Sequence, residues 1–442
     1  MINLNKLKSL LEKIPPQPGV FFNKIPFKYR LGEDYDTNYK EADFLLNISE
    51  EDKIKYIING FKNIIIHFIK NKNKLIIDHL NEANLNLSDI KQLSDIAAIP
   101  LTSKLILQKV PLYERTTMGY GLRQCNTTGT SGNPLSFFLD KNCYSREWAH
   151  IHYMWKKIGY ESSKTKITIR GKHYDTPYIY NFNQNEFLLN SYQDFDNKDY
   201  LEMFKIFKKY NTEYIHGYPS SIYNFIKTIA KKAPFLLDFF KKNIKGILFA
   251  SEYPSPHYRN YIEEHLTSNT ISWYGHTEGV ILASEIFNKY EYIPFLSYGY
   301  AEAVKSGDYY HLIGTSFKNF ATPFIRYDTE DLINPNINKE GRLVSFEVKE
   351  GRLGEFILDK FNNTISLTAF IFSRQHKLFN YANFIQVQQI APGKIIIYFS
   401  SPAIIENPDI LFDSSNVNMD ILFKRIDEPV RTRYGKIPLL IK

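Results

Sequence analysis

Cysteine is scarce in this chain of 442 residues, which contains only Cys125 and Cys143. Two cysteines cannot build a disulfide framework, and by themselves they cannot complete a four-ligand zinc site. The sequence also lacks any apolar run near the ~18 residues that a membrane-spanning helix needs. Its first residues carry charges at helical spacing and lack the apolar core of a signal peptide. We therefore expect a reduced, cytoplasmic protein with no membrane partner.

Dense basic segments are missing too, although 55 Lys and Arg against 47 Asp and Glu give a net charge of +8. The lysines are scattered singly among Asn, Ile, Phe and Tyr, so the excess charge indicates non-specific attraction and not a nucleic-acid site. The 32 Tyr and 33 Phe could stack on bases, but a large core is the commoner use of aromatic side chains. We expect no nucleic-acid partner.

Strand–helix alternation is clearest between residues 213 and 278. The segments EYIHGY, KGILFASE and NTISWYGHTEG are typical of strands, and helices are expected from Pro219 and over SPHYRNYIEEHL. This alternation predicts parallel βαβ units. Because ligands bind outside the carboxyl ends of such strands, we expect HGYP, ASEYP and WYGHTEG to converge on one crevice.

The flanking regions predict the rest of the architecture. Ser49 begins a capped helix, Ser103 lies in a turn that enters another helix, and LSFFL is strand-like. Short β-type runs follow residue 296, and the last 90 residues suit a small α+β domain in which NMDILFKRIDE is helical. We predict an α/β fold with a large N-terminal domain (1–350) of mixed and parallel sheets with flanking helices. A small C-terminal α+β domain (351–442) follows, with the hinge at 351–355.

The loop TTGTSGNP at 127–134 combines four hydroxyls and two glycines in eight residues. Glycines let backbone N–H groups approach an anion, and the hydroxyls add hydrogen bonds to phosphate oxygens. No G-K-[ST] follows, so this is not a Walker A loop, and a cation must come from elsewhere. A polar turn between strands is the alternative interpretation of the loop by itself.

Three further segments could complete a nucleotide site. Tyr274 can stack on a base and Glu278 can hold Mg²⁺, Asp331 can accept ribose hydroxyls, and Lys436 offers a cation in a loop. Each of these residues could equally be a turn, cap or surface residue. Their joint occurrence in this order favours the nucleotide-site interpretation.

The ordered set TTGTSGNP, HGYPSS, YGHTEG, ATPFIRYDTED, GRLGEF and RYGKIP resembles the adenylate-forming (ANL) superfamily. Within it, the set is most similar to the phenylacetate–CoA ligase family and its capsular-polysaccharide-associated branch. The resemblance spans residues 95–442. It implies an AMP-binding N-terminal domain and a C-terminal lid, with ATP, Mg²⁺ and coenzyme A as cofactors.

The resemblance also implies a role for each matching residue. Lys436, Arg352 and Thr130 would be catalytic, and Glu278 would bind the metal. The remaining matches would bind the nucleotide: Thr127, Thr128, Gly129, Ser131, Gly132, Ala250, Ser251, Glu252, Tyr274, Gly275, Thr277 and Asp331.

Two departures from the family pattern bear on the expected reaction. The family's Thr-Gly-Asp becomes Thr329-Glu330-Asp331, and its acidic hinge pair becomes Gly354-Glu355. We expect an acid–thiol ligase that adenylates a small carboxylic acid, aromatic or medium-sized, and transfers the acyl group to coenzyme A. The alternatives are an amine or hydroxyl acceptor in surface-polysaccharide biosynthesis, or an inactive nucleotide-binding homologue. A homodimer is left open.

Overall fold

The computed structural model describes most of the chain: 25–119, 122–126, 135–170, 174–190, 195–254, 256–307, 309–350, 356–372, 374, 376–382, 384–401, 404–430 and 439–441. The predicted phosphate loop at 127–134, the predicted hinge at 351–355 and Lys436 lie outside these residues. Within them, no helix has both the length and the hydropathy to cross a bilayer.

Eleven α-helices occur in the described residues. They are α1 (Phe27–Leu31), α2 (Tyr35–Asn47), α3 (Glu50–Lys70), α4 (Lys74–Glu82), α5 (Lys104–Lys109), α6 (Cys143–Lys156), α7 (Asn197–Lys209), α8 (Pro219–Lys232), α9 (Pro234–Asn243), α10 (Pro256–His265) and α11 (Leu367–Phe372). The predicted cap at Ser49 is confirmed, because Ser49 accepts a hydrogen bond from the Asp52 N–H. Ser103, which was predicted in a turn that enters a helix, caps α5 by accepting a hydrogen bond from the Ile106 N–H.

The strands of the first part of the chain are β1 (Arg123–Asn126), β2 (Ser136–Leu139), β3 (Thr165–Ile169), β4 (Tyr178–Asn181), β5 (Glu186–Leu189), β6 (Thr212–Gly217), β7 (Gly246–Phe249), β8 (Thr270–Ile271), β9 (Trp273–Gly275), β10 (Leu282–Ser284) and β11 (Ile293–Pro294). The later strands are β12 (Gly299–Ser306), β13 (Tyr309–Ser316), β14 (Tyr327–Ile337), β15 (Leu343–Glu350), β16 (Phe356–Leu358), β17 (Thr364–Ser366), β18 (Phe384–Ala391), β19 (Lys394–Ser400), β20 (Asp420–Arg425) and β21 (Leu440–Ile441).

A six-stranded sheet in the order β4-β5-β3-β6-β7-β8 forms the centre of the N-terminal part. All its pairs are parallel except β4–β5, which confirms the predicted βαβ units. Its faces are both buried. Ile167, Ile215 and Ile247 pack among side chains of α7 to α10, and Leu248 packs with Trp155 of α6 on the opposite face. Burial on both faces explains why these strands read as continuous apolar runs.

The predicted third strand, NTISWYGHTEG, is divided between two sheets. After β8 the chain leaves the parallel sheet. The Ser272 N–H donates to the Glu285 carboxylate (2.8 Å) and not to a neighbouring strand. Strand β9 then pairs antiparallel with β10, in a three-stranded sheet. The single-strand prediction was therefore wrong in its extent, and the break turns Tyr274 away from the parallel sheet.

The C-terminal region holds a four-stranded sheet in the order β20-β19-β18-β21, with α11 and the β16–β17 hairpin packed against it. The helix predicted for NMDILFKRIDE was wrong, because this segment forms β20 and pairs in parallel with β19. Ile421 and Phe423 are half-buried, whereas Leu422 and Lys424 are exposed. This period of two suits an edge strand, and the same apolar positions also fit a short helix.

Candidate active site

A shallow crevice opens beside the carboxyl ends of the central strands. The segment after β7 forms one side, and β9 forms another. Its lining residues are Ser251, Glu252, Tyr253, Trp273, Tyr274, Gly275, Tyr292 and Val348. The predicted convergence of ASEYP with WYGHTEG is therefore present. Four aromatic side chains give the crevice flat apolar walls of the kind on which a nucleobase can stack.

A tight turn at the end of β7 shapes the first wall. The Ala250 N–H donates to the Gly217 carbonyl (3.0 Å), and the Glu252 N–H donates back to the Ala250 carbonyl (2.8 Å). Ser251 between them has a φ of 66°, in the left-handed region. Ala250 is buried behind the turn, so only Ser251 and Glu252 of this predicted trio line the crevice.

Strand β9 contributes the second wall. Tyr274 is buried, and its ring meets the Phe346 ring edge-to-face with centroids 5.3 Å apart. Gly275 follows, and a Cβ there would lie 2.7 Å from the Trp273 ring. Glycine at this position therefore lets the Trp273 indole fold back against the strand that it belongs to.

A hydrogen bond joins β9 to β14. The Tyr274 hydroxyl donates to Asp331 Oδ2 at 2.6 Å, and both residues are buried. Asp331 follows Glu330, which has a φ of 63° at the point where the β13–β14 register shifts. At this bulge Glu330 therefore adopts the conformation that a glycine adopts most easily.

Glu278 lies in the turn after β9, next to Thr277. Its Oε1 accepts a hydrogen bond from the Tyr327 hydroxyl (3.0 Å), and its Oε2 lies 3.2 Å from His276 Nδ1. Burial, together with the Glu278 carboxylate, raises the pKa of the Tyr327 phenol well above its usual range. Tyr327 therefore keeps its proton and holds the carboxylate in place.

The residues at this site fit a magnesium ion that is held jointly by the protein and by the phosphates of a bound nucleotide. No group of three metal-ligating side chains occurs in the part of the chain that the structure describes. Mg²⁺ is commonly held by one or two carboxylates together with substrate phosphates and water. Glu278 supplies one such carboxylate, held in the turn after β9 by the Tyr327 hydroxyl.

Other predicted site residues fall elsewhere. Thr127, Thr128, Gly129, Thr130, Ser131 and Gly132, with Arg352 and Lys436, lie outside the described residues. The HGYP segment does not line the crevice. His216 lies buried within the central sheet, where burial and the nearby Arg170 lower its imidazole pKa to about 3. The predicted three-way convergence is therefore only partial.

Tyr253 and Trp273 belong to the ASEYP and WYGHTEG segments that were expected at the crevice, and both line it. Two lining residues escaped prediction from sequence. Tyr292 directly precedes β11, and Val348 lies on β15. Tyr292 hydrogen-bonds through its backbone with Phe346, and this non-local pairing leaves no local pattern in the sequence.

No protein-family model and no curated protein matches the chain. Solved structures do match it. A 2-hydroxyisobutyryl-CoA ligase in complex with 2-HIB-AMP and CoA, in the thioesterification state, is 13% identical, with a TM-score of 0.53. The same ligase in the postadenylation state with 2-HIB-AMP is 13% identical, with a TM-score of 0.52. Both matches cover 89% of this chain and 90% of that chain.

The chain therefore shares the fold of these acyl-CoA ligase structures over most of its length. At this identity the likeness shows the fold alone, and the roles of individual residues stay predictions. The finer resemblance to phenylacetate–CoA ligases and their polysaccharide-associated branch also stays a prediction.

Proposed function

We propose that this protein activates a small carboxylic acid with ATP through an acyl-adenylate and then transfers the acyl group to coenzyme A. The bond between Tyr274 and Asp331 beside an aromatic crevice is the observation that supports it best. A buried carboxylate with a fixed orientation suits the two hydroxyls of a ribose, and the aromatic walls suit adenine. The shared fold with an acyl-CoA ligase adds to this support.

In the first step, the substrate carboxylate attacks the α-phosphorus of ATP and pyrophosphate leaves. Lys436 would neutralise the incoming carboxylate and the charge that develops on the phosphoryl group. Residues 127–132 would hold the β- and γ-phosphates through backbone N–H groups and hydroxyls. Glu278 would hold Mg²⁺, which supplies charge neutralisation on the phosphates when it is bound.

In the second step, the acceptor thiol attacks the acyl carbonyl and AMP leaves. We propose that residues 351–442 act as a lid over the body formed by 1–350, with Arg352 near the hinge. A rotation of this lid would remove Lys436 after adenylation and admit the acceptor. Coenzyme A is the proposed acceptor because a ligase with this fold is known in complex with it.

Pyrophosphate release from ATP with a panel of carboxylic acids tests the first step. We expect release that depends on both the acid and Mg²⁺, and a fall of about 10²–10³-fold in Lys436→Ala because an electrostatic stabiliser is lost. Lys394→Ala, an exposed lysine on β19, is the matched control and should keep the wild-type rate.

The acceptor is tested separately by the loss of free thiol from coenzyme A. Acid-dependent pyrophosphate release without thiol loss would support adenylation and contradict coenzyme A as the acceptor, and an amine panel would follow. No release with any acid, while ATP still binds, would favour the inactive nucleotide-binding homologue.

A further inference from the structure

A row of polar and charged side chains runs beneath α6 on one face of the central sheet. Lys166 and Thr168 lie on β3, Glu186 on β5 and His216 on β6. The register pairs Lys166 with Glu186 and Thr168 with His216, so all four side chains share one face. None is more than 3% exposed. The proposed adenylation chemistry uses none of them.

Glu186 is the centre of this row. Its Oε2 accepts a hydrogen bond from Thr168 Oγ1 (2.5 Å) and lies 3.6 Å from Lys166 Nζ. Its Oε1 accepts from Asn181 Nδ2 (2.8 Å) and lies 4.0 Å from Arg170 Nη2. Lys166 therefore already neutralises this carboxylate, and Arg170 adds a second cation.

The charges of the row do not cancel among the described residues. Lys166 and Arg170 carry two positive charges against the single negative charge of Glu186. His216 adds none, because its lowered pKa keeps the imidazole neutral near pH 7. A partly buried cation that is not fully compensated favours the approach of an anion. The excess lies at Arg170, since Lys166 is the closer partner of Glu186.

Arg170 stands at the carboxyl edge of the sheet, two strands away from the crevice wall that follows β7. It directly follows Ile169, the last residue of β3, and the Ile169 carbonyl accepts a hydrogen bond from the Tyr218 N–H (3.1 Å). The next strand end, at Ala250, is bonded to Gly217 and leads into the crevice wall. The Arg170 side chain is one-third exposed, and its Nε is buried without a hydrogen bond to any described residue.

We infer that Arg170 binds a second carboxylate on the acid substrate, and that the enzyme activates short dicarboxylic acids. This inference rests on the proposed function, because it assigns the substrate of that same site. The planar guanidinium offers several N–H donors in a fork that matches a carboxylate. The 4.0 Å contact with Glu186 Oε1 orients this fork.

The length of the acid follows from strand spacing. Two strand spacings separate β7 from β3, which is roughly 10 Å, and the Arg170 side chain covers part of that distance. The remaining gap suits an acid of about four to six carbon atoms. Such an acid would react through one carboxylate at the carboxyl edge of the sheet and be held by Arg170 through the other.

Glutarate and pentanoate form a matched pair of substrates, because they share five carbons and differ in the second carboxylate. We expect kcat/KM for pyrophosphate release to favour glutarate, and Arg170→Gln to lower the glutarate value about 10- to 100-fold, as expected for a lost charge-assisted pair. The pentanoate value should change less than about threefold, and Arg170→Lys should restore part of the glutarate rate. Lys209→Gln, at the end of α7, is the control cation.

A binding measurement separates this inference from the proposed function. Glutarate alone, without ATP, should raise the melting temperature of the wild type and of Arg170→Lys but not of Arg170→Gln, while pentanoate should have no effect. Stabilisation by glutarate without pyrophosphate release from any acid would support the Arg170 site and contradict the adenylation proposal.

Other results would overturn the inference alone. One is release of pyrophosphate with pentanoate and glutarate at equal efficiency in the wild type and in Arg170→Gln. Another is a rise in KM for coenzyme A instead of for the acid, which would assign Arg170 to the acceptor.

Discussion

The Tyr274 hydroxyl and the Asp331 carboxylate are joined by a buried hydrogen bond of 2.6 Å that links β9 to β14. These strands belong to different sheets, so the bond fixes the position of a carboxylate that neither sheet orients by itself. The Phe346 ring against Tyr274 limits the freedom of the donor. If Asp331 binds ribose, Tyr274 acts on the nucleotide both directly and through this carboxylate.

Tyr274→Phe keeps the ring and removes the hydroxyl. Because a hydrogen bond to a charged group contributes about 1.5–3 kcal/mol, we expect KM for ATP to rise roughly tenfold and kcat to change less. Steady-state kinetics of pyrophosphate release with varied ATP checks this. Tyr292→Phe is the control, since Tyr292 also lines the crevice and its hydroxyl lies 3.2 Å from Ser272 Oγ, which carries no charge. Equal effects of the two changes would contradict the role of Asp331.

Glu278→Gln keeps the shape of the side chain and removes its charge. Tyr327 can still donate to the amide oxygen, so the turn after β9 should stay in place. We expect the Mg²⁺ concentration needed for half-maximal pyrophosphate release to rise at least about tenfold, because charge is the main attraction for a hard cation. Asp328→Asn, on β14 and paired with His311, is the matched control. An unchanged Mg²⁺ response in Glu278→Gln would remove Glu278 from the metal site.

The sequence was most informative where local pattern and burial agree. The parallel strands β6, β7 and β8 and the caps at Ser49 and Ser103 follow from apolar runs and local hydrogen bonds. The helix α9 begins with Pro234 at its first position, a signal that was present and unused. The helix prediction for the segment that forms β20 was wrong because a half-exposed edge strand carries too few apolar residues to reveal whether their spacing is that of a strand or of a helix.

The candidate site was predictable only where it follows strand ends. Ser251, Glu252 and Tyr274 were found because a parallel sheet brings its carboxyl ends to one edge. The wall formed by Tyr292 and Val348 depends on pairing between distant segments, which a local pattern does not encode. The charge row around Glu186 was missed for the same reason, since Lys166 and Glu186 meet only through the register of β3 and β5.

Glu330 is held in a left-handed backbone conformation, with a φ of 63°. A non-glycine residue there costs about 1–2 kcal/mol, and the Cβ atom is the cause. We expect Glu330→Gly to be more stable than Glu330→Ala by about 1 kcal/mol, because both remove the carboxylate and only glycine removes the Cβ. Urea unfolding of both variants checks this, and equal midpoints would show that the bulge holds no strain.

Burial of neutral histidines should make the protein sensitive to mild acid. His150 lies on α6 and is fully buried, with its Nε2 within hydrogen-bond distance of Ser297 Oγ. Burial lowers the pKa of its imidazole to about 3. The unfolded chain takes up a proton near pH 6.5 and the folded chain does not, so stability is present above pH 6.5 and falls as the pH drops. His150 should contribute about 1.4 kcal/mol of loss per pH unit below 6.

Urea midpoints between pH 7 and pH 5.5 measure this loss. His216 and His152 carry lowered pKa values for the same reason of burial, so the wild-type loss should exceed that of one histidine. His150→Gln should reduce the pH dependence of the unfolding free energy by the amount that corresponds to the uptake of about one proton. An identical slope in the variant would mean that His150 is protonated in the folded state.

The C-terminal region meets the body through a reciprocal pair of hydrogen bonds. Asn224 Nδ2 on α8 donates to the Thr364 carbonyl on β17, and Thr364 Oγ1 donates to Asn224 Oδ1 at 2.7 Å. Asn224→Ala removes both bonds, and each contributes about 0.5–1.5 kcal/mol. We expect amide hydrogen exchange in the β16–β17 hairpin to become about tenfold faster, because docking of the hairpin on α8 weakens. Thr228→Val, one helical turn along α8, is the control, since Thr228 bonds only to the Asn224 carbonyl among the described contacts.

The same pair of variants tests whether this docking belongs to one half of the reaction. If the lid must leave α8 between the two proposed steps, Asn224→Ala should change the rate of adenylation relative to acyl transfer, because it destabilises one lid position and not the other. Single-turnover measurements of pyrophosphate release and of thioester formation give the two rates. A variant with faster exchange in the hairpin but an unchanged ratio of rates would show that the contact holds the domain without taking part in lid rotation.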